Sequence, residues 1–199
     1  MLPQALQKFI NVFSKMPGLG PRAATRLAFY ISNLEREKLA VIAAAFENFK
    51  KLNRCKKCFF IKDDSLPLCG FCADKSRNQK IIAITEKETD LISLEKSGYF
   101  KGVYFLIGEL NDKDVIESSQ KMRLQYLKNR IKNELGGQAD EIIVALSPTS
   151  LSDILYEMIK DEFKNLAGTI SRLGRGIPTG GEIEFADEET LKNALDRRS

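Results

Sequence analysis

Histidine is absent from all 199 residues. Its absence removes Ser-His-Asp and Cys-His nucleophilic chemistry, histidine-ligated metals and every imidazole acid–base step. An enzyme built on this chain would have to run on carboxylates, Lys, Tyr or a metal. Long apolar runs are also missing, and nothing approaches the ~20 residues that a membrane span needs. The N-terminus, MLPQALQKFI, lacks the basic and then long apolar stretches of a secretion signal, so a cytoplasmic protein is expected. No GxxxxGK[ST] loop is present to cradle nucleotide phosphates, which argues against an ATP-driven machine.

Cysteine is scarce and confined. Cys55, Cys58, Cys69 and Cys72 all fall within CKKCFFIKDDSLPLCGFC, with the spacing C-x2-C-x10-C-x2-C. Two CxxC knuckles separated by a short excursion can converge on one tetrahedral ion. Arg54, Lys56 and Lys57 flank the first knuckle and favour thiolates. The alternative is two disulfides in a secreted domain, which the paired spacing and the missing secretion signal oppose. Four thiolates on Zn2+ leave no open coordination position, so the expected site is structural, with one ion per chain. The segment between the knuckles is too short for a core of its own. The metal would therefore supply much of its folding free energy, on the order of 10 kcal/mol.

The rest of the composition is ordinary, with 43% hydrophobic and 29% charged residues. The net charge of +4 conceals an asymmetry. Residues 1–80 carry 15 Lys and Arg against 6 Asp and Glu, a net of +9, whereas residues 81–199 carry 16 against 21, a net of −5. One end of the chain is suited to an anionic partner and the other is not.

Within the basic end, Leu2, Leu6, Phe9, Ile10, Phe13 and Met16 recur at helical spacing and predict a helix over 2–16. A break at Pro17-Gly18-Leu19-Gly20 follows, and a second helix starts at Pro21, which suits the first helical position. Its expected inward residues are Ala24, Leu27, Ala28 and Ile31. A third helix is predicted from Arg36 to Asn53, with Leu39, Ile42, Ala43, Phe46 and Phe49 inward. The unit resembles a helix-hairpin-helix module, a DNA-binding motif without sequence preference. Gly18 and Gly20 let the backbone approach a phosphate, and the helix start offers amides and a positive dipole end. Arg22 and Arg26, one turn apart, add charge on the same face. A plain αα-hairpin whose glycines only make the turn is the competing reading.

The acidic end alternates strand and helix. Strands are predicted at 80–85, 101–107, 141–146 and 168–173. Helices are expected through Leu91, Ile92 and Leu94 up to Gly98, over 119–135, and from 151 to about 165. Such alternation means a parallel sheet with helices on both faces. Glu86 sits at the C-terminal end of the first strand, and this half resembles a Toprim domain. That fold pairs such a Glu with an Asp-x-Asp after a later strand to bind Mg2+. Here the later strand is followed by Ser147-Pro148-Thr149-Ser150-Leu151-Ser152-Asp153, with no Asp-x-Asp. The alternative function, a small Mg2+-dependent Toprim nuclease acting on RNA or DNA, therefore lacks the later carboxylate pair, with Glu86 matching the first element and Asp153 alone remaining in the neighbourhood of the second. Glu86, Glu88 and Asp90 also fit a solvated helix start stabilised by the dipole.

Taken in order, PGLGPRAATRLAFYI, the four cysteines, CADKSRNQKIIAITEKETD, GYFKGVYFLIGEL and SRLGRGIPTGGEIEFADEETLKNAL resemble the RecR family of bacterial recombination mediators across nearly the whole chain. Arg172, Gly176, Pro178, Gly180, Gly181 and Glu184 to Glu188 carry the terminal part of the match. Two loops depart from the family pattern, Ser147–Asp153 and Asp112–Met122. The resemblance implies a non-catalytic DNA clamp, a tetramer or dimer, that works with RecO and RecF to load RecA onto gapped DNA coated by single-strand-binding protein. It implies that Arg22 and Arg26 face single- or double-stranded DNA. It makes the Toprim domain a docking surface for RecO, with Glu86 and Asp90 as candidate contacts.

The expected division is a helix-hairpin-helix module over 1–53, a zinc module over 54–78, a Toprim-like α/β domain over 79–173, and a strand-helix tail over 174–199. The thin N-terminal helices and the short tail lack full cores, so contact with other copies is expected to cover them.

Overall fold

The computed structural model describes residues 2–110 and 116–196. The stretch 111–115, which takes in the first four residues of the departing loop Asp112–Met122, lies outside the described residues, as do 1 and 197–199. The chain forms two compact units, Met1–Leu52 and Asn53–Ser199.

The first unit holds three helices: α1 (Gln4–Phe13), α2 (Pro21–Ser32) and α3 (Arg36–Phe49). Helix α1 is shorter at both ends than the 2–16 expected. The last residues relax into turns, with the Met16 N–H donating to the Phe13 carbonyl at 3.0 Å. Helix α2 starts at Pro21 as predicted and buries Ala24 and Ala28, while Leu27 and Ile31 are half-buried. Helix α3 stops at Phe49 rather than Asn53, because the chain extends from Leu52 into a strand.

The expected inward face of α3 is a correction. Leu39, Ala43, Phe46 and Phe49 are exposed, Phe49 at 69%, and of the five only Ile42 is half-buried. Three short helices make a thin layer, so the apolar side of α3 is only partly covered within this unit. What cohesion there is comes from small alanines between α1 and α2 and from rings, Phe9 stacked on Phe13 and Phe13 edge-on to Phe46.

After α3 come a two-stranded ribbon, β1 (Leu52–Arg54) and β2 (Ile61–Asp63), and a single helical turn, α4 (Gly70–Ala73), all but Leu52 in the second unit. A four-stranded parallel sheet follows, built from β3 (Asn78–Thr85), β4 (Gly102–Leu106), β5 (Ala139–Ala145) and β6 (Ala167–Arg172) in the order β4-β3-β5-β6. Helices α5 (Glu88–Ser97), α6 (Ser118–Glu134) and α7 (Ser150–Phe163) make the crossovers. All lie within a few residues of their predicted positions. Gly98 ends α5 with φ +75°, a conformation that costs a residue with a Cβ.

Topology assigns the helices to faces. Parallel crossovers are right-handed, and the chain leaves β3 in one direction but returns past it in the other. Helix α5 therefore covers one face and α6 and α7 the opposite one. Burial follows the two-residue period: Ile82, Ile84, Val103 and Phe105 pack with Leu124, Leu127, Ile131, Leu155, Ile159 and Phe163. Ala83, Tyr104 and Leu106 pack with Leu91 on the other side. The reversal of strand order between β3 and β5 opens the sheet where α/β folds place ligands, outside the carboxyl ends of the strands.

The tail differs from expectation. The strand predicted after Gly181 is a 3-10 turn, Ile183–Phe185, followed by helix α8 (Glu188–Asp196). A strand needs a neighbour to complete its backbone hydrogen bonds. Ile183 and Phe185 instead lie 70% and 77% exposed. Among the described residues no helix is long and apolar enough to cross a membrane.

Candidate nucleic-acid interface and metal centre

The hairpin between α1 and α2 has the geometry that its glycines imply. Gly18 turns with φ +76°, which L side chains rarely adopt, and a Cβ there would strain the backbone. Gly20 is the extended residue before α2, and its carbonyl accepts the Ala24 N–H at 2.9 Å. No side chain caps α2, so the first helical amides keep their donors outward together with the positive end of the dipole. Gly18, Gly20, Arg22 and Arg26 are all exposed. The electrostatics of the surrounding chain are one-sided, since Lys8, Lys15, Arg22 and Arg26 precede the first acidic residue, Glu35. The structure thus places Gly18 and Gly20 in the turn before α2 and Arg22 and Arg26 in the first two turns of that helix.

The four cysteines converge. Their sulfurs all lie within 4.8 Å of one another, and Cys55, Cys58, Cys69 and Cys72 are buried with free thiols. The Cys58 and Cys69 sulfurs are 3.4 Å apart. A tetrahedral Zn2+ with Zn–S bonds of about 2.3 Å requires S···S edges of about 3.8 Å, so the donor set and its spacing fit that ion. Hydrogen bonding within the cluster, led by Cys55, and then burial push the Cys58 thiol well above the ordinary range.

Local structure explains the convergence. In the first knuckle the Phe59 N–H donates to the Cys55 carbonyl at 2.9 Å and the Cys55 N–H to the Phe60 carbonyl at 2.7 Å. Closing that turn drives Phe59 to φ +62°, where a bulky residue is strained. Its ring is held edge-on to Phe105 and Tyr126, with the Arg123 guanidinium 4.8 Å from its centre. The second knuckle starts α4, where the Cys69 carbonyl accepts the Ala73 N–H at 3.0 Å. Two bonds splice the first knuckle to the α/β core. The Leu106 N–H donates to the Cys58 carbonyl at 2.9 Å, extending the edge of β4, and Arg130 Nη1 donates to the Lys57 carbonyl at 3.2 Å.

At the strand ends the carboxylates are dispersed. Glu86 accepts the Leu110 N–H at 3.0 Å, and its side chain is 11% exposed. Asp90 accepts the Lys87 N–H at 3.0 Å and completes a capping box at the start of α5. Glu88 pairs with Arg54. The loop that stands where an Asp-x-Asp would be forms the N-terminal cap of α7, with Ser152 and Thr149 exchanging hydrogen bonds. Asp153 is bound by Arg172 and Arg175. Glu86, Asp90 and Asp153 therefore serve different neighbours, and among the described residues the one cluster suited to a metal is the cysteine set.

A cleft of about 620 Å³ opens beyond β5 and β6, with Asp90, Ser93, Ser147, Asp153, Arg172 and Arg175 in its lining. The Arg175 link leaves no signature along the chain, because residues 153, 175 and 189 meet only when the tail folds back.

Three stretches of the chain match family models of known proteins. Residues 6–50 match the family model "RecR, helix-hairpin-helix", residues 80–166 the model "Toprim domain", and residues 176–199 the model "RecR, C-terminal". "Recombination protein RecR" of Dehalococcoides mccartyi is 32% identical over 196 residues, covering 98% of this chain and 93% of that relative. The protein of the same name from Thermus thermophilus is 32% identical over 197 residues, 98% of this chain and 97% of its own length. The one from Staphylococcus saprophyticus is 32% identical over 195 residues, 97% and 96%. The chain belongs to the RecR family. As a RecR-family chain it combines the acid-free hairpin, the four-cysteine centre and the Toprim sheet described above.

Proposed function

We propose that this chain is a non-catalytic DNA-binding clamp and adaptor in recombinational repair, acting in the cytoplasm. The observation that carries this reading is the exposed hairpin, where Gly18, Gly20, Arg22 and Arg26 offer amides and two guanidiniums to a phosphate backbone, with no acid before Glu35. Such contacts position without reading bases, so binding is tolerant of sequence and accepts single- and double-stranded DNA. The family membership supports RecO and RecF as partners and RecA loading onto gapped DNA as the outcome. Glu86 and Asp90 are the proposed partner-facing residues of the Toprim surface. The cysteine centre holds one structural Zn2+ through Cys55, Cys58, Cys69 and Cys72. With all four positions filled by sulfur, the ion supplies cross-linking rather than Lewis-acid chemistry. The four-part division at 53/54, 78/79 and 173/174 belongs to the same proposal, as does assembly into a tetramer or dimer. Several modest phosphate grips on one assembly act together through effective concentration.

The test is DNA binding as a function of salt. Arg22→Ala and Arg26→Ala are each expected to lower the log–log salt slope by roughly 1 for every phosphate that the arginine neutralises. A double variant that binds as tightly as the parent at every salt concentration would remove the hairpin from the interface.

A further inference from the structure

Arg130 is the one arginine of α6 that the helix turns fully inward. It is 3% exposed, and it shares the stripe formed by Leu124, Leu127 and Ile131. Its Nη1 reaches the Lys57 carbonyl, and its Nε is buried without a hydrogen-bond partner. None of the ion pairs among the described residues includes it. Glu134, one turn further along α6, is taken by Lys57 Nζ at 2.6 Å. A guanidinium cannot shed its proton, so this is a permanent buried charge with no carboxylate against it. Isolated buried charges are strongly disfavoured unless an opposite charge stands near.

The first knuckle is the neighbour that this guanidinium touches. Lys57, whose carbonyl Arg130 holds, lies between Cys55 and Cys58 in sequence. Tyr126, one turn before Arg130, stands edge-on to the ring of Phe59, the residue after Cys58, with ring centres 5.5 Å apart, which places this face of α6 against the first knuckle. Four thiolates on a divalent cation leave a net charge of about −2. We infer that Arg130 is a positioning residue for the metal centre: its guanidinium fixes the backbone of the first knuckle and balances part of the negative charge of the loaded site. The orphaned Nε and the anionic centre are then two halves of one electrostatic arrangement. Outer-shell groups of this kind tune metal affinity without touching the ion.

The inference rests on reading the four cysteines as a Zn2+ site, and the test separates the two. The full-length chain and its Arg130→Met, Arg130→Gln and Arg130→Lys variants are loaded with Zn2+ and titrated with a chelator of known affinity. Their Co2+ forms are compared by the thiolate-to-metal charge-transfer band. Met and Gln, which remove the charge, are expected to weaken Zn2+ binding by roughly 10–100-fold and to shift the band. Lys, which keeps the charge, is expected to stay close to the parent in both. Equal weakening by all three variants, or none by any, overturns the role, as does a Gln variant that behaves like the parent. If neither neutral variant folds, Arg130→Lys decides: parent-like affinity upholds the inference and a tenfold loss overturns it. A parent chain that binds no Zn2+ through four thiolates would end the underlying reading instead.

Discussion

Tyr104 shows what one side chain does in this fold. Its ring is fully buried between Phe71 and Phe100, and its hydroxyl donates to Glu95 at 2.7 Å. Glu95 also binds Arg77, which is bonded to the Gly102 carbonyl and lies over the Phe71 ring. The Arg77 guanidinium holds the Glu95 carboxyl below its usual range, and burial followed by the hydrogen bond to Glu95 pushes the Tyr104 phenol up. The two shifts give two pH windows. A depressed carboxyl stabilises the fold above its unfolded value, about 4.3, and that contribution is lost as pH falls through the lower folded value. A raised phenol is fully stabilising below about 10 and loses its contribution as pH rises toward the higher folded value. Urea midpoints measured across pH are expected to fall at both extremes. Glu95→Gln is expected to flatten the acid side, and Tyr104→Phe the alkaline side. Parent-like curves for both variants would detach this network from stability.

At the scale of elements, the tail is fastened by charge rather than by a core. Arg175 bridges Asp153 at the start of α7 and Glu189 in α8, while Asp187 caps α8 by accepting the Thr190 N–H at 2.8 Å. Helix α8 buries no residue, so little apolar area holds it in place. Arg175→Ala is expected to speed amide hydrogen exchange over 188–196 by at least tenfold, an opening shift of about 1.4 kcal/mol, while β3 and β5 stay unchanged. Unchanged exchange in α8 would mean that the Asp153–Arg175–Glu189 bridge contributes nothing to docking. The metal module makes the opposite case. It has a compact sulfur-centred core, and the Cys58 carbonyl is bonded into the β4 edge.

At the scale of the whole molecule, half of the exposed large apolar side chains among the described residues lie in the first unit, which is about a quarter of the chain. Val41, Phe46, Phe49, Phe29 and Tyr30 are 46–71% exposed on α2 and α3. Exposed apolar surface on this scale marks an interaction face. Native mass measurement is expected to give an assembly of two or four chains, each with one Zn2+. Phe46→Glu with Phe49→Glu is expected to shift it toward the single chain, because two carboxylates on a covered apolar face oppose association. A parent that stays monomeric at micromolar concentration would contradict the clamp.

The metal spacing, the hairpin turn and the alternation of strands and helices were all legible along the chain. Each is set by contacts or conformations within a few residues: a CxxC knuckle, a glycine at positive φ, an apolar period of two or of 3.6. Arg130 also lay in the open, in phase with Leu127 and Ile131, although a charged residue in an apolar stripe names no partner. The tertiary structure alone decided that α3 leaves its apolar side partly uncovered and that EIEF turns rather than pairs. It alone decided that Asp153 answers to arginines near the end of the sheet instead of to Glu86. Those outcomes depend on which surfaces meet across long separations in sequence, and periodicity carries no information about the partner that a face or a charge will find.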